Sequence, residues 1–339
     1  MKVLVTGANG FLGTAVVERL LAHGETDIRC VVRRGRGVSR LGDVSSRFPE
    51  AAVETCVGDL RSAEFAREVV GGADIVYHLA AAMRGSAADL FQNTVVSSKN
   101  LLDALIEGGA RRVVLVSSFG VYGTSDLPRG AVIDETTPLE PHPERRDHYS
   151  YSKIRQEQLF HEYRQKHGLP LVVVRPGVVY GPGGAAISTR VGIRVFGIFF
   201  HFGRNNLLPL TYVDNCAEAI VIASRQGDGD VYNVVDDDLP TSKKFLRLYR
   251  RDVERMRYVT TPYFVTVLMS RLVERYHAFS KGQLPAVLTP YKSSNLWKGH
   301  TFDNSKLKST GWRQLVGTEE GLQRFLAYWR TQHEGADDD

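Results

Sequence analysis

Two clusters in this sequence have residue types and spacings that chemistry needs. Tyr149 and Lys153 stand four apart in Tyr149-Ser150-Tyr151-Ser152-Lys153, so on a helix they share a face. A lysine beside a tyrosine lowers the phenol's pKa electrostatically. A phenol so tuned takes or gives the proton of an alcohol while hydride moves at carbon. The same lysine can hold the ribose of a bound cofactor. Tyr151 has no lysine at that spacing, which favours Tyr149. An isolated Tyr-x-x-x-Lys is usually just the start of an amphipathic helix. What lifts this one is Ser117-Ser118, at the end of the β-branched run from Val113. Ligands of doubly wound sheets bind outside the carboxyl ends of strands, where a hydroxyl reaches a substrate carbonyl or alcohol.

The second cluster is Gly7-x-x-Gly10-x-x-Gly13, directly after the apolar run Val3 to Val5 and opening a helical pattern of Phe11, Leu12, Ala15, Val16 and Leu20. Gly7 allows a tight turn, Gly10 lets backbone approach a pyrophosphate, and Gly13 lets the helix pack close to the strand. The helix N-terminus offers unpaired N–H groups and its positive dipole end to the phosphates. Strand, glycine turn and helix in this order predict dinucleotide binding.

Both clusters need a scaffold, and the chain supplies one by alternation. Strands are expected at Ile28 to Val32, Ala52 to Val57, Ile75 to Leu79, Arg112 to Ser117, Leu171 to Arg175 and Val231 to Val235. Helices are expected at Leu90 to Glu107 and Tyr149 to His167. Such alternation predicts an α/β, Rossmann-type doubly wound parallel sheet with a smaller C-terminal substrate lobe. The division expected is a nucleotide-binding core over 1–180, with returning segments at about 205–237. The substrate lobe takes 181–204 and 238–334, and 335–339 forms a disordered tail. In the lobe, helices are expected at Thr241 to Val259, Pro262 to Phe279 and Thr318 to Trp329. A loop is expected from Lys281 to Asn304.

Composition narrows the class. The 339 residues are 43% hydrophobic and carry a net charge of +5, enough for a sizeable core. No Lys/Arg block with interleaved aromatics occurs, which argues against nucleic acid. Cys30, Cys56 and Cys216 lie far apart and read as small reduced core residues, with no metal spacing. Residue 3 already begins a strand, so no signal peptide is expected. Val191 to Phe202 and Tyr258 to Met269 are too short and interrupted to span a bilayer. A cytoplasmic location follows as the default.

Taken together, the motifs resemble the extended short-chain dehydrogenase/reductase family, which includes nucleotide-sugar epimerases and 3β-hydroxysteroid dehydrogenases. The resemblance rests on Thr6-Gly7-x-x-Gly10-x-x-Gly13, Gly58-Asp59-Leu60, His78-Leu79-Ala80-Ala81, Asn93, Ser117-Ser118-x-x-Val121-Tyr122-Gly123, Tyr149-x-x-x-Lys153, Arg175-Pro176-Gly177-x-Val179-Tyr180-Gly181 and Tyr212-Val213-Asp214-Asn215-Cys216-Ala217. It implies a catalytic set of Ser118, Tyr149 and Lys153. It implies cofactor contacts at Gly7, Asn9, Gly10, Phe11, Leu12 and Gly13. Asp59 would sit at the adenine amino group and Leu60 against its ring. Leu79, Ala80 and Ala81 would line the cofactor, and Pro176 and Val178 would flank the nicotinamide. Asn93 takes a structural or cofactor-positioning role. Family likeness also implies a homodimer through the helices at 90–107 and 149–167.

The end of the second strand bears on the cofactor. An acid there accepts hydrogen bonds from the ribose diol, whereas arginine suits a 2′-phosphate. The chain reads Val32-Arg33-Arg34-Gly35-Arg36, so Arg33 and Arg34 are expected to recognise NADP, with NAD as the alternative. The leading reading is an NADP(H)-dependent oxidoreductase that interconverts a carbonyl and a secondary alcohol. The alternatives are a UDP-hexose-type epimerase that retains NAD and a non-catalytic NADP-binding sensor or scaffold. A dehydratase is disfavoured because Ser118-Phe119-Gly120 lacks an acidic pair. The aromatic stretch Phe196, Ile198, Phe199, Phe200 and Phe202 reads as lobe core or as a pocket for a hydrophobic carbonyl. Arg190, Arg194, Arg204 and Arg84 are the candidates for an anionic substrate.

Overall fold

The computed structural model describes residues 1–33, 39–280 and 288–337. The first half alternates as expected: β1 (Lys2–Thr6), α1 (Phe11–Ala22), β2 (Asp27–Val32), α2 (Ser39–Ser46), β3 (Ala52–Val57), α3 (Ala63–Val70), β4 (Ile75–His78), α4 (Ala87–Phe91), α5 (Ser97–Gly108) and β5 (Arg112–Val116). There follow β6 (Val132–Ile133), α6 (His148–His167), β7 (Leu171–Pro176), β8 (Val178–Tyr180), β9 (Gly192–Val195), β10 (Ile198–His201), β11 (Leu210–Tyr212), α7 (Val213–Ala223) and β12 (Val231–Val234). The last part holds α8 (Ser242–Asp252), β13 (Tyr258–Thr260), α9 (Tyr263–Phe279), α10 (Pro290–Trp297), β14 (Thr301–Phe302), α11 (Ser305–Ser309) and α12 (Thr318–Asp337).

Seven strands form one sheet in the order β12-β7-β5-β4-β1-β2-β3. Every pairing in it is parallel. The period-two pattern of the strands explains why both faces are covered. Val3 and Val5 of β1 point into a core shared with Val16, Val17 and Leu20 of α1 and Ile220 of α7. Leu4, between them, points into the opposite core with Val69 of α3, Leu101 and Leu105 of α5 and Phe160 of α6. A fully buried Leu or Val contributes about 1.5–3 kcal/mol relative to an exposed one, so the sheet is held from both sides. The strand order reverses between β1 and β4, and ligands of such sheets bind in the crevice at that switch point.

The C-terminal part departs from the sequence reading in three places. The expected helix over Thr241 to Val259 ends at Asp252, and Tyr258–Thr260 pairs with β10 as a third strand beside the β9–β10 hairpin. The expected loop from Lys281 contains α10 and β14 among its described residues, with Thr289 capping α10 and Pro290 in its first turn. The final helix runs past Trp329 through Gly335 to Asp337, into the stretch expected to be a tail. Cys30 and Cys216 are buried, but Cys56 sits partly exposed on the edge strand β3.

Candidate active site

The glycine turn is built as tightly as its residues imply. Gly7 has φ +72°, a left-handed conformation that side chains rarely adopt. A Cβ on Gly13 would lie 2.0 Å from the Gly7 carbonyl oxygen, so only glycine lets α1 close on β1. Gly10 is the N-cap of α1 and offers no side-chain cap, which leaves backbone N–H groups of the first turn open to an anion. The Asn9 Nδ2 is buried with no partner. These features fit a dinucleotide pyrophosphate, held by Gly7, Asn9 and Gly10 and by the backbone of Phe11, Leu12 and Gly13. The side chains of Phe11 and Leu12 point elsewhere and pack on the core around Tyr180 and Tyr212.

Across the switch point, a Cβ on Gly7 would meet the Ala80 nitrogen at 3.1 Å, so Leu79 and Ala80 lie directly against the turn. Leu60 is buried in the core that Ala80 also touches. The Asp59 carboxylate is already engaged, accepting from the Arg61 backbone N–H at 2.9 Å and from its Nε at 2.8 Å. The side-chain bond, foremost, holds its pKa below the ordinary range. Arg33 is exposed directly after β2 and donates to Asn93 Oδ1 at 3.0 Å. Asn93 in turn donates to the Asp89 carbonyl at 2.7 Å. Asn93 is thus a brace for the arginine. Arg34 lies outside the described residues.

The second cluster sits at the carboxyl end of β5. Ser118, in extended backbone, caps a short 3₁₀ turn over Phe119–Val121 and accepts from the Gly120 N–H at 3.1 Å. Asp147 caps α6, accepting from the backbone N–H of Ser150 at 3.0 Å and its hydroxyl at 2.7 Å. This places Tyr149 in the first turn and Lys153 one turn further. Ser118 and Tyr149 meet: a hydrogen bond between their hydroxyls lowers the phenol's pKa, but burial, the larger effect, pushes it up to about 12. The groups that act on the phenol here are its burial, Ser118 and Asp147. The Lys153 ammonium, itself 3% exposed, donates to the Val116 carbonyl at 2.8 Å and to Gln156 Oε1 at 2.7 Å. Burial, opposed by the Glu157 carboxylate, brings its pKa down to about 7. Pro176 ends β7 and Val178 opens β8. A Cβ on Gly177 between them would lie 2.1 Å from the Pro209 carbonyl oxygen, so this turn too is fixed by close backbone approach.

A buried polar chain joins the two clusters, and most of it escaped the sequence reading. Gln156 Nε2 donates to Ser98 Oγ at 2.8 Å and lies 3.1 Å from His78 Nε2. His78 Nδ1 lies 2.8 Å from Thr6 Oγ1, which accepts from the Ala80 N–H at 3.2 Å. His78 is fully buried, and burial, helped by the Lys153 charge, lowers its pKa to about 3. A neutral ring whose Nδ1 accepts from the Thr6 hydroxyl and whose Nε2–H donates to Ser98 Oγ, 2.8 Å away, leaves each hydroxyl with a partner, since Ser98 donates in turn to the Thr94 carbonyl. His78 and Thr6 were visible only as motif letters. Gln156 and Ser98 carry no local signal, being polar residues on helices. The buried Glu157 on α6 pairs with Arg175 of β7, and Arg175 also donates to the Tyr122 hydroxyl at 2.9 Å. That pair ties the helix carrying Tyr149 to the sheet.

The lobe's arginines separate. Arg190 stands near Arg146 and Asp147, and burial lowers its pKa to about 10. Arg194 is paired with Glu254 at 2.6 Å, and Arg84 and Arg204 are both exposed. Of the four, Arg190 is the one beside the cap of the helix that bears Tyr149. The aromatic stretch divides as well: Phe199 and Phe202 are core, whereas Phe196 is fully exposed at the hairpin tip.

Residues 3–235 match the NAD dependent epimerase/dehydratase family. The chain is 34% identical over 187 residues to sterol demethylase protein B of Methylococcus capsulatus, covering 54% of this chain and about half, 52%, of that relative. It is 27% identical to the 2-alkyl-3-oxoalkanoate reductase of Shewanella oneidensis, over 95% of this chain and 85% of the relative. The crystal structure of the UDP-glucose 4-epimerase of Thermus thermophilus in complex with NAD superposes with a TM-score of 0.68, covering 97% of this chain and 99% of that one at 24% identity. At that identity the likeness concerns the fold.

Proposed function

The chain belongs to the NAD dependent epimerase/dehydratase family, of the extended short-chain dehydrogenase/reductase kind, and from that premise we propose that it is an NADP(H)-dependent oxidoreductase interconverting a carbonyl and a secondary alcohol. The observation that carries this reading is the meeting of Ser118 and Tyr149 at the carboxyl end of β5, one helical turn from Lys153. When bound, the nicotinamide supplies or takes up the hydride. Everything else falls to the chain. With its pKa at about 12, the Tyr149 phenol stays protonated through the neutral range and serves as the acid toward a carbonyl oxygen. Ser118 accepts from the Gly120 N–H, which fixes its hydroxyl beside Tyr149, where it can share its proton with that oxygen when substrate is bound. Lys153, fixed by Val116 and Gln156, presents a cation at the cofactor's ribose.

Arg33, braced by Asn93 where the diol-binding acid would stand, supports NADP over NAD. Gly7, Asn9, Gly10, Phe11, Leu12, Gly13, Asp59, Leu60, Leu79, Ala80, Ala81, Pro176 and Val178 complete the proposed cofactor cleft. The relative named as a 2-alkyl-3-oxoalkanoate reductase, matched over nearly the whole chain, supports release of a reduced product. A test is the fate of the hydride. Purified protein is expected to carry little bound dinucleotide and to consume NADPH one for one with a ketone such as a 3-oxo acid. Copurified NAD, with inversion of a UDP-hexose and no net oxidation, would put the epimerase reading in its place.

A further inference from the structure

Helix α9 carries a feature that its own fold does not use. Phe264, Leu268, Leu272 and Tyr276 are spaced by four and Phe279 follows three later, so they line one face. All five are exposed, Phe264 at 74% and Phe279 at 84%. The opposite face does the packing: Thr266 and Ser270 are buried, and Met269 and Val273 lie against Phe200, Phe202 and Trp297. The β9–β10 hairpin, packed on the buried side of α9, carries further exposed apolar residues. Its tip and edge carry Val195, Ile198 and, on the neighbouring strand β13, Val259, all three exposed. The hairpin adjoins α9 through Ile193 and Phe200, which pack in the same cluster as Met269 and Val273. At the tip stands Phe196, 100% exposed and with φ +48°, the one non-glycine among the described residues with positive φ. Asn, Asp or Gly would hold that turn with less strain. The chain thus keeps a strained, fully hydrated aromatic where a polar residue would fold better.

The charge around this face is one-sided. Arg271 and Arg275 flank the stripe on α9 itself, with Glu274 as the one acid in that helix. Both arginines are exposed. An apolar stripe rimmed by arginines, on a helix that is not long and apolar enough to cross a bilayer, is the pattern of a helix lying in a lipid interface. The apolar side enters the acyl boundary, and the arginine stems reach up to the phosphates.

We propose that α9 and the Phe196 hairpin form a docking face for an anionic membrane surface, with Phe196, Phe264 and Phe279 inserted and Arg271 and Arg275 on the lipid phosphates. The proposal stands apart from the catalytic assignment, since none of these residues belongs to the site. The test is sedimentation of the full chain with vesicles of phosphatidylcholine alone and of phosphatidylcholine mixed with phosphatidylserine. The mixed vesicles should carry the protein down, and salt should weaken the binding. Phe196→Asn should cut the affinity about tenfold, as expected for losing one inserted aromatic, with thermal stability equal or higher because Asn tolerates the turn. Arg271→Glu with Arg275→Glu should cut binding to mixed vesicles at least about tenfold. Wild-type protein that stays in solution with phosphatidylserine vesicles overturns the proposal. So does binding that Phe196→Asn and Leu268→Gln/Leu272→Gln leave unchanged. An oligomer that Leu268→Gln/Leu272→Gln dissociates, without vesicle binding, overturns it too and assigns the face to a second copy of the chain.

Discussion

Lys153 holds its proton weakly because it is buried, with a pKa of about 7, and this has a consequence that can be read in solution. A lysine is charged below its pKa and neutral above it, so the cation that we propose faces the cofactor's ribose is lost as pH rises through about 7. NADPH affinity of the wild type should fall between about pH 6 and 9, by roughly tenfold per unit at the steepest. Lys153→Met should bind more weakly at low pH and show little of this slope. An equal slope in both proteins would remove Lys153 from the cofactor site. At the other end, Arg33→Ala should weaken NADPH by about 1.5–3 kcal/mol, the range for a hydrogen bond to a charged group, and leave NADH nearly unchanged; fluorescence titration of both nucleotides checks it. At this scale the sequence was legible where spacing encodes geometry. Tyr149 and Lys153 fall on one helix, and Gly7, Gly10 and Gly13 make one turn. It was illegible where the partner comes from elsewhere in the fold. Gln156 and Ser98 meet only because α5 and α6 pack side by side, and no local pattern announces that.

Helix α6 is held by more than its apolar face. The carboxylate of Glu157 is buried against Arg175. Burial alone would raise its pKa, but hydrogen bonds from His161 and Arg175 and the arginine's charge bring it well below the ordinary carboxylate range. A carboxylate whose folded pKa is depressed contributes stability that is present above its unfolded pKa and lost as pH falls through the folded one. Urea stability of the wild type should therefore drop in acid, and less so in Glu157→Gln. Glu157→Ala leaves Arg175 charged and buried and should cost about 3–5 kcal/mol. If Glu157→Ala unfolds at the wild-type urea concentration, the pair does not hold α6. The glycine turn gives a second check on an element: Gly13→Ala puts a Cβ 2.0 Å from the Gly7 oxygen, so the α1–β1 junction must shift and dinucleotide binding should fail before the fold does. Strands of the parallel sheet were readable because most are buried on both faces and bounded by turns. α10 was not, because Pro290, two serines and Asn295 mimic a loop. It is a helix through its Thr289 cap and the packing of Trp297 on Phe202.

For the whole molecule, the order of motifs along the chain was enough to give the parallel sheet and the family, since a nucleotide crevice needs its turn, its switch point and its catalytic helix in one sequence. The C-terminal part resisted because its segments take their structure from each other. Tyr258–Thr260 becomes a strand only beside β10. Asn215 shows the same dependence: it donates to the Val316 carbonyl at 2.8 Å and accepts from the Val316 N–H at 2.8 Å, tying the entry of α12 to the core. We propose the division of labour read from the sequence, a nucleotide core to about 180 and a substrate lobe built mainly from 181–204 and 238–334. We propose that Tyr149 is the group that moves the proton. The most direct measurement is NADPH oxidation by the purified full chain across a panel of ketones and 3-oxo acids, wild type beside Tyr149→Phe, with NADPH affinity measured for both. Turnover is expected in the wild type, with a loss of at least about a hundredfold in Tyr149→Phe and equal NADPH affinity. A Tyr149→Phe protein that keeps a tenth or more of the wild-type rate would contradict that role.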